Sequence, residues 1–389
     1  MKINASPEKI KEVLERGVEN IYPSKEEFAK ALNSGKQLKI YTGIDPTGPA
    51  LHMGHGVVLM KLRELQNLGH KIIILIGDFT GMIGDPTDKT ATRQKLTRKQ
   101  VLENAKNYKR QADKILDIKK TEIKYNSKWL GKLKLDDLME IASEFTTQQM
   151  LERDMFENRM KEGKPIYLHE FLYPLMQGYD SVAMDVDMEV GGNDQTFNML
   201  VGRDMLKKRG KKKFVLTTKL LEDPTGKKMG KTEGNMITLE DSPEEMYGKV
   251  MSWPDTLMPL GFEICTRLAI DEVKNILAGD PRDAKMKLAK EIVKIYHSEK
   301  EAEKAEEHFV KVIQKKEKPE DILEIKPSNY NIIEVLVEAK IASSKSEARR
   351  TIEQGGVKVN DKKISDFKLE VKSNDIIQKG KRHFIKIKK

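Results

Sequence analysis

The stretch that decides the fold runs from Lys39 to Leu62, and its centre reads Tyr41-Thr-Gly-Ile-Asp45-Pro-Thr47-Gly-Pro-Ala-Leu-His52-Met-Gly54-His55. Leu38 to Thr42 is short, apolar and compatible with a strand, and Asp45, Pro46, Gly48 and Pro49 then break any regular structure. After His55, the apolar residues Val58, Leu59, Leu62 and Leu65 recur at helical spacing until Gly69 ends the run. The order predicts a strand, a turn and a helix that opens on His-x-Gly-His. A helix N-terminus presents backbone N–H groups and the positive end of a dipole, so it suits a phosphate. Gly54 would let that phosphate approach the backbone, and His52 and His55, one turn apart, can donate hydrogen bonds to it. Alone, so short a motif reads more readily as two solvated histidines on a surface turn. The rest of the chain has to decide.

A chain of 389 residues predicts about two or three domains. No apolar run approaches the roughly 20 residues that cross a bilayer, and the N-terminus opens on charged, helix-forming residues rather than a secretory segment. The single cysteine, Cys265, allows no internal disulfide and no cysteine metal cluster, which fits a reducing cytoplasm. A formal charge of +10 fits a polyanionic partner and a solvated lysine-rich surface equally well.

Outward from the central stretch, Ser6-Pro7-Glu8 is a helix start with Ile10, Val13 and Leu14 on one face. Lys71 to Ile76 reads as a strand buried on both faces, as in a parallel sheet covered by helices. With the first strand and its helix it makes a βαβ unit. It runs into Asp78-Phe-Thr80-Gly-Met-Ile-Gly84-Asp85-Pro-Thr87-Asp-Lys89, followed by Arg93. Ligands of open α/β sheets bind beyond the carboxyl ends of the strands, so Asp85 could hold an ammonium there, and Lys89 and Arg93 a phosphate. From about Thr97 to Tyr167 the pattern is mostly helical and reads as an insertion, a reasonable place for subunit contact.

Tyr173, Gln177 and Asp180 fall on one face of a helix whose other residues are largely apolar. A strand at Val186 to Val190 ends in Gly191-Gly-Asn-Asp194-Gln195, and a helix follows from Asn193 to Lys208. A last strand, Phe214 to Thr217, leads to Lys227-Lys228-Met229-Gly230-Lys231-Thr232, where Lys228 and Lys231 could close on a polyphosphate with Thr232 as a further donor. From Ser242 the pattern is all-helical. A Lys/Glu/Pro-rich linker spans Lys315 to Asn329. The segment from Tyr330 to Lys389 has two short helices and a hairpin with a turn at Asp361. Lys345, Arg349 and Arg350 on its second helix suit structured RNA.

His52-Met-Gly-His55 and Lys228-Met-Gly-Lys-Thr232, in that order, resemble the HIGH and KMSKS motifs of class I aminoacyl-tRNA synthetases. Met53 stands for the usual isoleucine or leucine, and Gly230 and Thr232 replace both serines. Tyr41-x-Gly-x-Asp45-Pro-Thr47, Gly84-Asp85-Pro, Tyr173-x3-Gln177-x2-Asp180 and Gly191-Gly-x-Asp194-Gln195 are together similar to the bacterial tyrosyl-tRNA synthetases, over nearly the whole chain. The resemblance implies an α/β fold: a Rossmann-like parallel-sheet catalytic domain over 1–235 with a helical insertion at about 97–167. An all-α anticodon-binding domain over 236–318 and a small α+β RNA-binding domain over 330–389, like one first described in a ribosomal protein, would follow.

The resemblance also implies roles. Tyr41 and Asp180 would bind a phenolic hydroxyl, Asp85, Tyr173 and Gln177 the ammonium of L-tyrosine, and Gln195 its carboxylate. Thr42, Gly43, Asp45, Gly192 and Asp194 would face ATP and its ribose. Thr47, His52, Gly54, His55, Lys89, Arg93, Lys228, Lys231 and Thr232 would hold the polyphosphate, with Mg²⁺ arriving on ATP. The tyrosine carboxylate would attack the α-phosphorus, and tRNA(Tyr) would then take the aminoacyl group. A homodimer is implied by the resemblance only. Two alternatives remain open at this stage: a tryptophanyl enzyme of the same class, and a non-catalytic RNA-binding relative.

Overall fold

The computed structural model describes residues 3–4, 6–85, 96–222, 236–311, 323–380 and 383–388. Contacts divide the chain into one unit of Met1–Ser298 and a second of Glu299–Lys389.

The first unit is built on a six-stranded sheet of β1 (Val18–Tyr22), β2 (Lys39–Ile44), β3 (Lys71–Ile76), β4 (Thr121–Tyr125), β5 (Met188–Gly192) and β6 (Phe214–Thr218), in the order β1-β6-β5-β2-β3-β4. From β2 to β6 all pairings are parallel, and β1 closes one edge antiparallel to β6. Ile72 to Ile76 are all buried, as expected of a strand covered on both faces. On one face Tyr41, Ile73 and Leu75 pack with Met184 and Val186. The chain leaves β2 in one direction to β3 and β4, and in the other β5 and β6 lie beside it. That reversal between β2 and β5 opens a crevice at the carboxyl ends of both strands.

The sheet takes in part of the segment read as an insertion. Thr121 to Tyr125 pair in parallel with Ile72 to Ile76, so 97–125 belongs to the sheet layer and the helical excursion begins after Asn126. The strand is a half-buried edge, and Thr-Glu-Ile-Lys-Tyr alternates too briefly to stand out from the helical pattern around it. β1 likewise lies in a stretch that carried no strand signal of its own.

Helices Pro243–Met251, Met258–Cys265, Ile270–Leu277 and Pro281–Tyr296 follow, and they cluster with the sheet rather than standing apart. Arg16 explains much of this. Its guanidinium donates to the carbonyls of Glu263 (2.9 Å), Leu268 (2.8 Å), Phe262 (3.2 Å) and Thr266 (2.8 Å), satisfying the C-terminal end of the Met258–Cys265 helix. The Tyr296 hydroxyl reaches Met53 Sδ at 3.3 Å over Gly56, where a Cβ would lie 2.2 Å from that oxygen.

The second unit carries a sheet of β7 (Leu323–Ile325), β8 (Val357–Val359), β9 (Lys362–Lys363), β10 (Ile376–Lys379) and β11 (His383–Ile387), ordered β7-β11-β10-β8-β9. Its core joins Ile333 and Leu336 with Ile352, Val357, Ile377 and Ile385. β7 pairs with β11, so this module starts before the Tyr330 boundary expected from composition. Asn360 and Asp361 take positive φ (48° and 68°) in the β8–β9 turn, the backbone a tight hairpin needs. Arg349 and Arg350 are exposed, whereas Lys345 is paired with Glu334 at 2.6 Å.

His70, at the turn into β3, holds the sheet's first parallel step by accepting the Leu38 backbone N–H at Nδ1 (3.2 Å). Burial lowers its pKa to about 4, against a weaker pull upward from Asp187. The unfolded chain therefore takes up a proton near pH 6.5 that the folded chain refuses. This contribution is fully present above pH 6.5 and is lost as pH falls toward 4. In His70→Asn, whose amide oxygen can accept the same N–H, the stability lost between pH 7 and pH 5 in urea unfolding should shrink by up to about 2 kcal/mol.

Candidate active site

Every described carboxyl end from β2 to β5 delivers candidate site residues or their partners. β2 carries Tyr41 and Thr42 and runs into Asp45 and Thr47. β3 runs into Thr80 and Asp85, β4 into Asn126 and Trp129, and β5 into Asp194 and Gln195. The helix Leu168–Met184 lies across these ends and presents Tyr173, Gln177 and Asp180 from one face, as its spacing predicts.

Each of those three groups is paired. Tyr173 donates to Asp45 Oδ2 at 2.9 Å, and Thr80 Oγ1 donates to Asp45 Oδ1 at 2.6 Å. Gly77 is what admits this carboxylate, since a Cβ there would lie 1.9 Å from Asp45 Oδ1. Asp45, grouped with the ATP residues by resemblance, thus accepts on one oxygen from Thr80 and on the other from Tyr173, a residue expected to bind the ammonium. Gln177 donates to Glu189 Oε1 at 3.2 Å. Asp180, 3 % exposed, accepts from Trp129 Nε1 at 2.7 Å and from Asn126 Nδ2 at 3.3 Å. Burial pushes the Asp180 carboxyl well above the usual carboxylate range. The Trp129 and Asn126 donors pull it back down, and the charges of Glu189 and Asp45 add to the rise. Tyr41 is fully buried, with its hydroxyl 2.8 Å from Ser181 Oγ, and burial together with Glu189 and Asp180 pushes its pKa far up. It is a neutral hydroxyl at any working pH.

Asp85 is also engaged. Gln195 donates to its Oδ2 at 2.7 Å and the buried Arg153 to its Oδ1 at 3.2 Å, while Asn198 donates to Gln195 Oε1 at 3.0 Å. The ammonium contact expected of Asp85 would therefore be made by a carboxylate already held by two donors.

At the other end, His52 is the N-cap of the helix Met53–Asn67, and its ring lies 3.9 Å from that of His55. His55 Nδ1 accepts the His52 N–H at 3.2 Å, and His52 Nδ1 accepts the Gly54 N–H at 3.1 Å. With Nδ1 accepting in both rings, each neutral imidazole carries its proton on Nε2. The reading of bare backbone donors at this terminus is corrected here. The Gly54 N–H is spent on His52 and the Met53 N–H on the Ile237 carbonyl (2.9 Å), so donor capacity passes to the imidazoles. Space over Gly54 is filled by the His52 ring, whose Cε1 would lie 3.0 Å from an added Cβ.

His52 also forms an antiparallel bridge with Thr238, and the Leu239 N–H donates to the Leu51 carbonyl at 2.8 Å. The described residue Thr238 therefore ties the chain beyond the lysine-bearing segment to the histidine pair. Lys228, Lys231 and Thr232 lie outside the described residues, as do Lys89 and Arg93. Thr42 is buried, Thr47 and Gly192 are half-buried, and Gly43 is exposed with open space above it.

Sequence reasoning missed Asn126, Trp129, Thr80, Ser181, Glu189, Lys213 and Arg153. Asn126 and Trp129 follow β4, and recognising that strand would have placed them at a carboxyl end, where ligands bind. Glu189 sits among apolar strand residues and Lys213 ends a lysine run just before β6, so nothing local sets them apart and their burial as a pair is the mark they carry.

The family description "tRNA synthetases class I (W and Y)" matches residues 33–314, and "Tyrosine–tRNA ligase SYY-like C-terminal domain" matches 313–387. Tyrosine–tRNA ligase 2 of Clostridium acetobutylicum is 49% identical over 388 residues, covering 96% of this chain and 97% of that one. Tyrosine–tRNA ligase of Thermotoga maritima is 46% identical over 393 residues, covering 98% of each. A crystal structure of a C-terminally truncated Coccidioides posadasii mitochondrial tyrosyl-tRNA synthetase superposes with a TM-score of 0.64 at 27% identity, covering 77% of this chain and 91% of that one. The crystal structure of the Archaeoglobus fulgidus tyrosyl-tRNA synthetase complexed with L-tyrosine shares the fold, with a TM-score of 0.61 at 22% identity over 77% of this chain and 99% of that one. A parallel sheet with Tyr41, Asp180 and the histidine pair at its carboxyl edge, and sequence identity near one half over almost the whole length, make this chain a member of the tyrosine–tRNA ligase family of class I tRNA synthetases.

Proposed function

We propose that this chain activates L-tyrosine with ATP to tyrosyl-adenylate and transfers the tyrosyl group to the 3′ end of tRNA(Tyr). The observation that carries the reading is Asp180: a deeply buried carboxylate, held by Asn126 and Trp129, on the same side of the sheet as the buried Tyr41 hydroxyl. A phenol donates its proton to Asp180 and accepts from Tyr41. Phenylalanine would leave both groups desolvated and each short of the partner that the phenol supplies.

The remaining roles follow from the chemistry of each group. The Gln177 carbonyl oxygen, Tyr173 and Asp85 receive the ammonium, and Gln195 faces the carboxylate. Thr42, Gly43, Gly192 and Asp194 line the ATP ribose, and Asp45 orients Tyr173 beside it. The His52 and His55 Nε2–H groups, with Thr47, Lys89, Arg93, Lys228, Lys231 and Thr232, hold the polyphosphate, whose Mg²⁺ comes bound to ATP. The tyrosine carboxylate attacks the α-phosphorus in line as the bond from that phosphorus to the β-phosphate's bridging oxygen breaks and pyrophosphate leaves. Imidazole and ammonium donors take up the charge that gathers on the leaving oxygens, so position and electrostatics supply the acceleration without a covalent protein intermediate.

Arg349 and Arg350 offer exposed charge to the tRNA backbone. The exposed Leu135, Met139 and Leu168 (75%, 64% and 83%) favour self-association into a homodimer through the helical excursion. Among the described residues no helix is long and apolar enough to cross a membrane. The single, buried Cys265 suits a reducing cytoplasm.

Three measurements test these assignments. In tyrosine-dependent ATP–pyrophosphate exchange, Asp180→Ala should lower the tyrosine-over-phenylalanine ratio of kcat/KM by about 100-fold, the worth of a hydrogen bond to a buried charge. An unchanged ratio would remove Asp180 from recognition. Lys231→Ala should slow adenylate formation about 100-fold while tyrosine binding stays within about twofold. The Arg349→Ala/Arg350→Ala double variant should keep exchange intact and lower tRNA charging about tenfold, with a shallower salt dependence.

A further inference from the structure

A buried ion pair lies behind the proposed amino-acid pocket and takes no part in the roles above. Lys213, one residue before β6, is 1% exposed, and Glu189 on β5 is 2% exposed. An ammonium has three donors and no acceptor. Here they go to Glu189 Oε2, to Ser181 Oγ at 2.7 Å and to the Met199 carbonyl at 3.1 Å. Glycine at 202 makes the room, since a Cβ there would lie 2.8 Å from Lys213 Nζ and 2.7 Å from Ser181 Oγ.

Such a pair is weak evidence of stabilisation, because desolvating two ions offsets most of their attraction. What it does impose is direction. Glu189 can only accept, so Gln177 must turn its NH₂ toward Oε1 (3.2 Å), which fixes its carbonyl oxygen as the group facing the other way. Lys213 can only donate, so Ser181 Oγ must accept from it. The serine proton is then available to the Tyr41 oxygen 2.8 Å away, and the Tyr41 proton to a substrate. Glu189 also lies beside Tyr41 in the sheet and within reach of its hydroxyl. Glu189 therefore competes with a substrate for that proton, and Lys213 and Gln177, by each drawing on one of its oxygens, weaken the competition without abolishing it.

We propose that Lys213, Glu189 and Ser181 form a positioning relay that aims the Tyr41 hydroxyl at the substrate's phenolic oxygen and the Gln177 carbonyl at its ammonium. The relay rests on the reading of this pocket as the tyrosine site. Its two arms act on different parts of the substrate. The Ser181 arm touches only what distinguishes tyrosine from phenylalanine. The Glu189 arm touches the ammonium that both share.

The test is ATP–pyrophosphate exchange by the full-length protein with tyrosine, phenylalanine and ATP each varied. Ser181→Ala leaves the ion pair in place. It should raise the tyrosine KM about tenfold and lower the tyrosine-over-phenylalanine ratio by the same factor, with kcat and the ATP KM within about twofold. Glu189→Gln bears on both arms, directly on Gln177 and through Lys213 on Ser181. It should raise KM for phenylalanine as well as tyrosine, whereas Ser181→Ala leaves the phenylalanine KM within about twofold. An unchanged phenylalanine KM in Glu189→Gln overturns the Gln177 arm. A wild-type ratio in Ser181→Ala overturns the relay, and so does an equal rise in the tyrosine and ATP KM values, which marks general damage. If Glu189→Gln does not fold, Ser181→Ala still decides. Wild-type exchange that does not depend on tyrosine would instead overturn the parent reading of the pocket, a result distinguishable from loss of the relay alone.

Discussion

Besides Asp85, which Gln195 and Arg153 hold, three carboxylates crowd the crevice of one sheet, and each has to be supplied with donors. Asp45 is served by Thr80 and Tyr173, Asp180 by Asn126 and Trp129, and Glu189 by Lys213 and Gln177. Left unpaired, any one of them would cost several kcal/mol in so dry a setting. The donors come from β3, β4, the Leu168–Met184 helix and the approach to β6, so satisfying the carboxylates also fixes those elements against one another. The pocket and the packing that surrounds it are one arrangement.

The arrangement divides labour along the crevice. At the proposed amino-acid end the acceptors are buried and already hydrogen-bonded, which suits recognition of a fixed pattern of donors. At the proposed nucleotide end the donors are two imidazoles whose Nδ1 atoms are pinned by backbone N–H groups. Pinning costs two hydrogen bonds at the helix start, yet it turns both rings into oriented Nε2–H donors that extend farther than backbone amides could. The bridge from His52 to Thr238 links this pair to the strand-like return of the chain. The two ends of the site are therefore set by different means, one by burial and one by capping.

The helices between Pro243 and Tyr296 share a unit with the sheet for an electrostatic reason as much as an apolar one. Arg16 satisfies carbonyls that the Met258–Cys265 helix cannot pair internally, and Arg267 meets Glu64 at 3.0 Å. An N-terminal segment with no evident chemistry thus anchors a helix 246 residues away in sequence. The module from β7 onward is self-sufficient in its own way, with one small core and a five-stranded sheet.

Periodicity and turn chemistry were enough to read β2, β3, β5 and β6, the capped helix at His52, and the Tyr173, Gln177 and Asp180 stripe, because each is a local pattern within one segment. The motif residues of those segments made the family legible too. β1 and β4 were not legible: short edge strands owe their conformation to the neighbour they pair with, and that neighbour is distant in sequence. For the same reason Trp129 and Asn126 passed as parts of a helical run until β4 delivered them to Asp180. Lys213 and Glu189 are unremarkable as letters. Only the fold buries them together, and burial is what converts two ordinary charges into a pair with fixed directions. The sequence by itself determined which side chains could do the chemistry; the tertiary structure decided which acceptor each donor meets, since that depends on desolvation and on distances between strands far apart along the chain.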